Sequence, residues 1–160
     1  MPFSYNVLGT YAEIDAQPAP WLGLTGGLRY DHNAALGSDV SRQAANNVSP
    51  RVALFVADPE RYGVKLLYAG GFRVASAFEG VFDDRLDFAA NPDIKPEEIF
   101  SYEAVAWAKP RPGIALRLSG FYWDVSEIIE QRDVQLADGP RLQFKNIAHY
   151  VSAGLEAEAS

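Results

Sequence analysis

Apolar and polar residues alternate with a period of two along most of the chain. In the segment 62–73, for example, the even positions are apolar or glycine, whereas Lys65 and Arg73 occupy odd positions. Because successive side chains of a β-strand point to opposite faces, this pattern predicts strands with one apolar face and one charged face. Seven such strands are predicted, at about 4–16, 20–32, 50–58, 62–73, 99–109, 113–126 and 142–159. Most exceed the length of about five or six residues that is usual in soluble sheets.

The connections between these strands alternate in length. Short, proline-marked connections fall at 16–20, 58–61 and 109–113, whereas long polar connections fall near 33–49, 74–98 and 127–141. Short turns on one side and long loops on the other are typical of outer-membrane β-barrels. A soluble β-sandwich with functional loops at one edge gives the same alternation, so this pattern leaves both folds open.

Aromatic residues near the strand ends favour the membrane barrel. Tyr30, Phe72 and Tyr122 are predicted near the long loops, and Trp21, Tyr62 and Trp107 near the proline turns. Two such aromatic belts are expected where a barrel crosses the two membrane interfaces. The sequence therefore predicts an all-β, antiparallel up-and-down meander of about seven long strands.

Composition excludes several classes of function. The net charge is −7, with 14 basic and 21 acidic residues, which argues against binding to nucleic acid. The chain has no cysteine, so disulfides, thiolate metal sites and a cysteine nucleophile are excluded within it. No catalytic motif is present, and the acidic clusters near 83–84 and 127–133 do not fit the spacing of a calcium-binding EF-hand loop. We therefore expect no enzyme activity, no cofactor and no metal site.

Five short segments carry a family resemblance. In chain order they are LTGGLRYD, SPRVAL, FRVASAFE, NPDIKPE and the pair KN and GLE near the end. Each is weak alone, but together and in this order they resemble the β-barrel domain of TonB-dependent outer-membrane receptors. One departure is Ala75, at a position where that family usually has proline.

The resemblance implies a segment of a transmembrane barrel of twenty-two strands in the bacterial outer membrane. Such receptors have a plug domain, contact the TonB complex and import a scarce nutrient, such as an iron-siderophore, a cobalamin or an oligosaccharide. Seven strands are about a third of that barrel. Residues 1–160 are therefore expected to form a partial barrel domain, without the plug domain or the closing strands, that does not transport by itself. Its other expected partner is outer-membrane lipid.

Two sets of candidate site residues follow from this interpretation. The long segment after strand 62–73 alternates aromatic and charged residues, as the mouth of a ligand site requires. Its predicted ligand contacts are Arg73, Phe78, Glu79, Phe82, Arg85 and Phe88. The charged residues expected to face the barrel lumen are Arg29, Asp31, Arg51, Lys65, Glu103, Arg117 and Glu156. For most of these, pairing across strands is the simpler interpretation.

Two alternatives remain at this point. A complete eight-stranded outer-membrane barrel fits the chain length, but it needs an even number of strands, with both termini on the periplasmic side. A soluble β-sandwich that serves as a binding module would need no detergent to stay in solution. Partitioning between detergent and water would separate the two classes.

Overall fold

The computed structural model describes residues 4–36, 45–58 and 60–160. Its elements are, in chain order, β1 (Ser4–Ala19), β2 (Leu22–Leu36), β3 (Ala45–Asp58), β4 (Tyr62–Arg73), α1 (Ala77–Val81), β5 (Phe88–Ala89), β6 (Glu97–Arg111), β7 (Ile114–Leu136) and β8 (Gly139–Ala159). The seven long strands pair antiparallel with their neighbours in chain order, and β5 adds to the free edge of β8 in parallel. The predicted all-β meander is confirmed.

The strand register divides the sheet into two chemically different faces. One row of cross-strand partners contains Ile14, Gly26, Val52, Tyr68, Tyr102, Tyr122 and Ala153. The neighbouring row on the opposite face contains Asp15, Thr25, Ala53, Leu67, Glu103, Phe121 and Gly154. We call these the apolar face and the polar face. The prediction that Leu66 and Lys65 lie on opposite faces is confirmed, since they are adjacent residues of β4.

The sheet is a single layer with almost no buried core. In the part of the chain that the structure describes, the buried hydrophobic residues are only Ala57, Ala75 and Ala89, while Leu155 is 81% exposed. The accessible surface is 10889 Å², compared with about 7,900 Å² expected for a folded monomer of this mass. A sheet must cover its apolar face with something. The apolar face therefore needs a covering that these residues do not supply.

The height of the apolar face matches a membrane. On β4 this face runs from Tyr62 to Phe72, which is about 34 Å along the strand. At the tilt of about 40° that is typical of outer-membrane barrels, this length spans about 26 Å, close to their apolar band of about 25 Å. Among the described residues, no helix is long and apolar enough to cross a bilayer.

Short turns gather at one end of the sheet and longer excursions at the other. The turns between β1 and β2, β3 and β4, and β6 and β7 lie at the first end, which we call the turn end. The segment 74–96 and the hairpin of β7 and β8 lie at the opposite, loop end. Residues 37–44, within the predicted long connection near 33–49, lie outside the described residues.

The predicted long connection at 127–141 is wrong. There β7 and β8 continue as paired strands, and they join through a tight turn after Leu136. This extension carries the hairpin about 30 Å beyond Glu98, where the pairing of β6 with β7 stops at the loop end. The polar residues of 127–141 suggested a loop, although the pair Asp138-Gly139 is typical of hairpins. The turn itself consists of residues 137 and 138, and Gly139, the first residue of β8, has a φ of +131°.

The predicted aromatic belts are wrong at two positions. Tyr122 lies in the middle of the sheet, opposite Tyr102, because β7 continues well past it. Trp107 lies on the polar face, where its ring packs over Gly63 and 5.5 Å from the ring of Phe55. Trp107 is an odd-numbered position of β6, like Glu103, and therefore lies on the polar face. Its ring fills the space above Gly63, which has no side chain of its own.

Candidate functional site

The segment 74–96 is folded and lies at the loop end. It begins with α1, whose first turn is closed by a capping box. The Ser76 hydroxyl accepts from the Glu79 amide at 3.3 Å, and the Glu79 carboxylate accepts from the Ser76 amide at 2.7 Å. These bonds satisfy amides that a helix start would otherwise leave unpaired. The capping box therefore fixes Glu79 at the start of the segment.

Arg73, at the end of β4, holds this segment against the sheet. Its guanidinium donates two bonds to Glu97, at 2.6 and 2.7 Å, and two to Glu79, at 3.0 and 3.1 Å. Glu97 also accepts from the Ile129 amide at 2.9 Å, so β7 is tied to the same group. We call Arg73, Glu79 and Glu97 the arginine clasp. Arg73 and Glu97 are register partners on the polar face, so the segment 74–96 starts from that side.

Electrostatics favour the charged form of the clasp. Desolvation by itself raises the pKa of Glu79, but the bonds from Arg73 and Ser76 outweigh it and hold the pKa below its ordinary value. The Glu79 and Glu97 side chains are only 15% and 18% exposed, whereas Arg73 is 48% exposed. One guanidinium therefore bonds to two partly buried carboxylates, and the clasp keeps a net charge of −1.

The far half of the segment is bonded to the β7–β8 hairpin. β5 pairs with Leu142 and Gln143 of β8. Asn91 donates to the Phe144 carbonyl at 2.7 Å. Asn146 accepts from the Lys95 amide at 2.8 Å and donates to the Lys95 carbonyl at 2.9 Å. The segment and the hairpin therefore form one unit, which we call the cap.

Four phenylalanines pack together inside the cap. Phe78 lies 4.8 Å from Phe82, 5.4 Å from Phe88 and 5.6 Å from Phe144, measured between ring centroids. Phe78 and Phe82 nevertheless remain 47% and 41% exposed. The cluster thus joins the segment to β8 and also presents an open aromatic surface.

A tight acidic turn lies beside this surface. The Asp84 carboxylate accepts from the amides of Phe88, Leu86 and Asp87, and these bonds lower its pKa. Arg85 has a φ of +60° within this turn and an exposed side chain. The turn therefore presents a cation next to the aromatic surface.

The structure brings most of the predicted ligand residues together. The side chains of two of them, however, already bond to each other within the protein. Arg73 and Glu79 belong to the clasp, and Phe88 is packed between Phe78 and Phe144. The more open members are Phe78, Phe82 and Arg85. Their role in ligand contact stays a prediction.

Sequence reasoning missed one member of the clasp and two residues of the cap, all within the resembling segments or next to them. They are Glu97, Phe144 and Asn146. The Ser-x-x-Glu spacing at Ser76 signals a capping box and was also missed. No local signal pairs Phe144 with Phe78, because that contact depends on the fold of the whole cap.

All seven predicted lumen residues lie on the polar face. Two ion pairs involve this set. Arg29 donates two bonds to Asp31, at 2.6 and 2.7 Å, and Arg51 lies 3.6 Å from Glu13 across β2. Among the described residues, no ion pair within 4.0 Å involves the exposed side chains of Lys65, Glu103, Arg117 and Glu156. Pairing thus accounts for fewer of these charges than expected, and a lumen position stays a prediction.

The chemistry of the cap suits binding. It offers aromatic rings, the exposed guanidinium of Arg85 beside them and the acidic turn at Asp84. In the described ranges 4–36, 45–58 and 60–160, no group of three or more His, Asp or Glu side chains could hold a metal ion. The arrangement therefore supports contact with a partly apolar, partly charged solute.

Comparisons with known proteins agree on a family. The family described as TonB dependent receptor-like, beta-barrel matches residues 2–160. Among curated protein sequences no significant match was found.

Solved structures share the fold at low sequence identity. The siderophore receptor PirA from Pseudomonas aeruginosa has a TM-score of 0.72 at 23% identity, over 96% of this chain and 30% of that chain. A mutant of the ferric enterobactin receptor PfeA from Pseudomonas aeruginosa, in complex with enterobactin, has a TM-score of 0.72 at 20% identity, over 96% and 24%. The hemophore receptor HasR from Serratia marcescens, a double mutant in complex with its hemophore and heme, has a TM-score of 0.73 at 18% identity, over 97% and 31%.

The chain spans between 24% and 31% of the length of these three proteins. β-Barrels of the matched family are outer-membrane proteins, and the proteins compared are receptors. The single-layer sheet, its register and its loop end fit a segment of such a barrel. The chain belongs to the family of TonB-dependent receptor β-barrels.

Proposed function

We propose that the chain is part of an outer-membrane, TonB-energised receptor that imports a scarce nutrient. In this proposal residues 1–160 are a partial barrel domain. Further strands close the barrel, a plug domain fills it, and the TonB complex acts on the plug. The apolar face contacts lipid and the polar face lines the lumen. The chain alone does not transport.

The observation that carries the proposal is the cap at the loop end. It is a folded aromatic and charged surface, and it starts from the polar face through the clasp at Arg73. In a barrel of this family the loop end faces the outside of the cell. The cap would therefore stand where an arriving ligand meets the barrel mouth.

The ligand that we propose first is an iron-siderophore complex, and cobalamin and oligosaccharides are the alternative nutrients. Two of the similar structures are described as receptors for siderophores or ferric enterobactin. The half-exposed rings of Phe78 and Phe82 offer apolar packing, and Arg85 offers a charge for an anionic group. The ligand would be held by packing on the rings and oriented by the guanidinium.

Removal of the exposed part of the cap tests the proposal. Deletion of residues 76–90 from the receptor that contains the chain should abolish uptake of radioactive iron supplied as a panel of siderophore complexes. The barrel should still assemble in the outer membrane, because the deletion removes only α1 and the short β5 and leaves the seven long strands intact. Assembly is measured by heat-modifiable migration in gel electrophoresis.

Point variants give a matched comparison. Phe78→Ser combined with Phe82→Ser should weaken uptake, whereas Leu86→Ser should not. Leu86 is 77% exposed in the same turn, so its loss changes the apolar surface without removing a clustered ring. Undiminished uptake by an assembled deletion variant would remove the cap from the ligand site.

A further inference from the structure

The Arg85 side chain makes no ion pair, although three carboxylates lie close to it in the sequence. Residues 83, 84 and 87 are aspartates, each within two positions of Arg85. In the part of the chain that the structure describes, no carboxylate lies within 4.0 Å of the Arg85 guanidinium, and Arg85 is exposed. Because opposite charges attract at short range, these carboxylates must be held elsewhere.

Two of the three carboxylates are bonded to other groups. Asp84 accepts from three backbone amides that follow it in the turn, at 2.8 to 2.9 Å. One oxygen of Asp83 accepts from Nη1 of Arg141 at 3.0 Å and from the Arg85 amide at 2.8 Å. Arg141 belongs to β8 and not to the turn. The hairpin therefore determines where the Asp83 carboxylate lies.

Arg141 is fixed in its place on β8. Its side chain is only 12% exposed, and Nη2 donates to both oxygens of Asp138, at 3.1 and 3.3 Å. Its Nε–H group is buried and has no hydrogen-bond partner among the described residues. A buried donor without a partner costs stability. The guanidinium is thus placed to bond its two carboxylates, at the expense of one of its own donors.

The backbone of the turn is attached to β8 on both sides of Arg85. Arg85 has a φ of +60°, in the left-handed region that an arginine seldom adopts. Before it, Asp83 bonds to Arg141. After it, the Asp87 carbonyl accepts from the Leu142 amide at 2.8 Å. These bonds hold the turn, and the cation within it, in one position beside the aromatic surface.

We propose that Arg141 is a positioning residue, which keeps the Arg85 guanidinium free for an anionic group of the ligand. It holds the Asp83 carboxylate on β8, so that this group does not pair with Arg85. Without Arg141, the side chains of Asp83 and Arg85 would be free to pair with each other. This inference rests on the proposed function, since that function gives Arg85 its role in ligand contact.

Chemical labelling of arginine tests the positioning without any ligand. Phenylglyoxal modifies accessible guanidinium groups, and peptide mass spectrometry of the assembled receptor then gives the modification rate of Arg85. In Arg141→Met this rate should fall about two- to fivefold, which is the strength of an exposed ion pair expressed as an equilibrium constant. A turn that merely loosened would leave Arg85 equally reactive or more reactive. The direction of the change therefore separates positioning from a structural role.

Three further variants complete the labelling experiment. The double variant Arg141→Met/Asp83→Asn should regain the parent's rate, because no carboxylate remains at position 83 to pair with Arg85. Arg141→Lys should be intermediate, since lysine keeps the charge without the planar fork. The matched control on the same hairpin is Arg132→Met, which loses only an exposed contact of 3.6 Å and should leave Arg85 unchanged. An unchanged rate in Arg141→Met would overturn the proposal.

Iron uptake tests the role in ligand binding. The probes are a ferric tris-catecholate complex, which is anionic, and a ferric tris-hydroxamate complex, which is neutral. For the anionic complex, Arg141→Met should raise the half-saturating concentration about two- to fivefold at the same maximal rate. In an Arg85→Gln background it should add nothing, because both changes act through one cation. An equal rise for both complexes would overturn the role of Arg85 as a cation.

The outcomes separate this inference from the proposed function. Absence of uptake of both complexes by an assembled parent receptor would contradict the proposed function. Slower labelling of Arg85 with an unchanged half-saturating concentration would contradict only the role of Arg141 in ligand binding. Uptake of the neutral complex alone would contradict the anionic group that the inference assigns to the ligand.

Discussion

Replacement of Arg73 should open the cap without unfolding the sheet. Arg73→Met keeps much of the side-chain volume but removes four bonds of 2.6 to 3.1 Å to Glu79 and Glu97. The two carboxylates, 15% and 18% exposed, would then lie unpaired beside each other. Like charges at short range repel, so the segment should move away from the sheet.

The size of the effect lies between two limits. An exposed ion pair is worth about 0.2–1 kcal/mol, and breaking a buried one costs about 3–5 kcal/mol. Because Arg73 itself is 48% exposed, we expect a cost of about 2 kcal/mol after solvent screening. That corresponds to a roughly 30-fold larger opening constant of the cap.

Hydrogen exchange of the receptor measures this opening. The Leu142 amide donates to the Asp87 carbonyl at 2.8 Å and reports whether the segment is seated on the hairpin. Its exchange should accelerate roughly 30-fold in Arg73→Met, in proportion to the opening constant. Arg73→Lys should be intermediate, because lysine keeps the charge without the planar fork.

The control is Arg132→Met, since Arg132 makes only an exposed contact of 3.6 Å with Glu130. It should leave the exchange of Leu142 unchanged. If Arg73→Met also leaves Leu142 protected, the clasp does not hold the cap, and the reasoning from its geometry is refuted.

Three further predictions concern the cap and the sheet. Because the pKa of Glu79 is lowered in the folded cap, its contribution to the stability of the cap is present above the ordinary pKa of 4.5 and is lost as the pH falls through the lowered value. The protection factors of the cap amides, which correct each exchange rate for the slower intrinsic exchange in acid, should therefore fall between neutral pH and about pH 3, and unchanged protection factors would contradict this. Asn146→Leu removes three bonds of 2.6 to 2.9 Å and should raise proteolysis of the segment 74–96, whereas resistance equal to the parent's would show that these bonds do not anchor it. Gly63→Ala would place a Cβ atom in steric conflict with the ring of Trp107 and 2.7 Å from the Cβ atom of Ala57, so it should impair barrel assembly, with only partial recovery in the double variant that also carries Trp107→Ala. Gly26→Ala, which meets nothing within 4 Å, is its control, and normal assembly of Gly63→Ala in heat-modifiable gels would be the contrary result.

The faces of the sheet could be predicted from sequence because strand geometry is local. A period of two assigns Leu66 and Lys65 to opposite sides whatever the rest of the chain does. A register slip of one residue would move the charged side chains onto the apolar face, so the hydrophobic pattern itself fixes the register.

The cap could be predicted only in part. Segment 74–96 is long and rich in Phe and Asp, which indicated a functional loop. Its attachment to β8 depends on Asn146 and Phe144, which lie about 50 residues further along the chain. The extended hairpin was missed because charged residues on both its faces hide the alternation of apolar and polar positions. The pair Asp138-Gly139 at its tip was nevertheless visible in the sequence.

The central claim is that the apolar face meets lipid and the polar face meets water. Nitroxide labels placed singly at residues 64, 65, 66 and 67 of β4 test this most directly, in a membrane-embedded receptor from which any cysteine outside residues 1–160 has been removed; residues 1–160 contain no cysteine. Electron paramagnetic resonance then compares the collision of each label with oxygen, which concentrates in lipid, and with a water-soluble nickel chelate. We expect 64 and 66 to favour oxygen and 65 and 67 to favour the chelate. Equal accessibility of all four labels to the chelate would contradict the account, because it would place both faces in water.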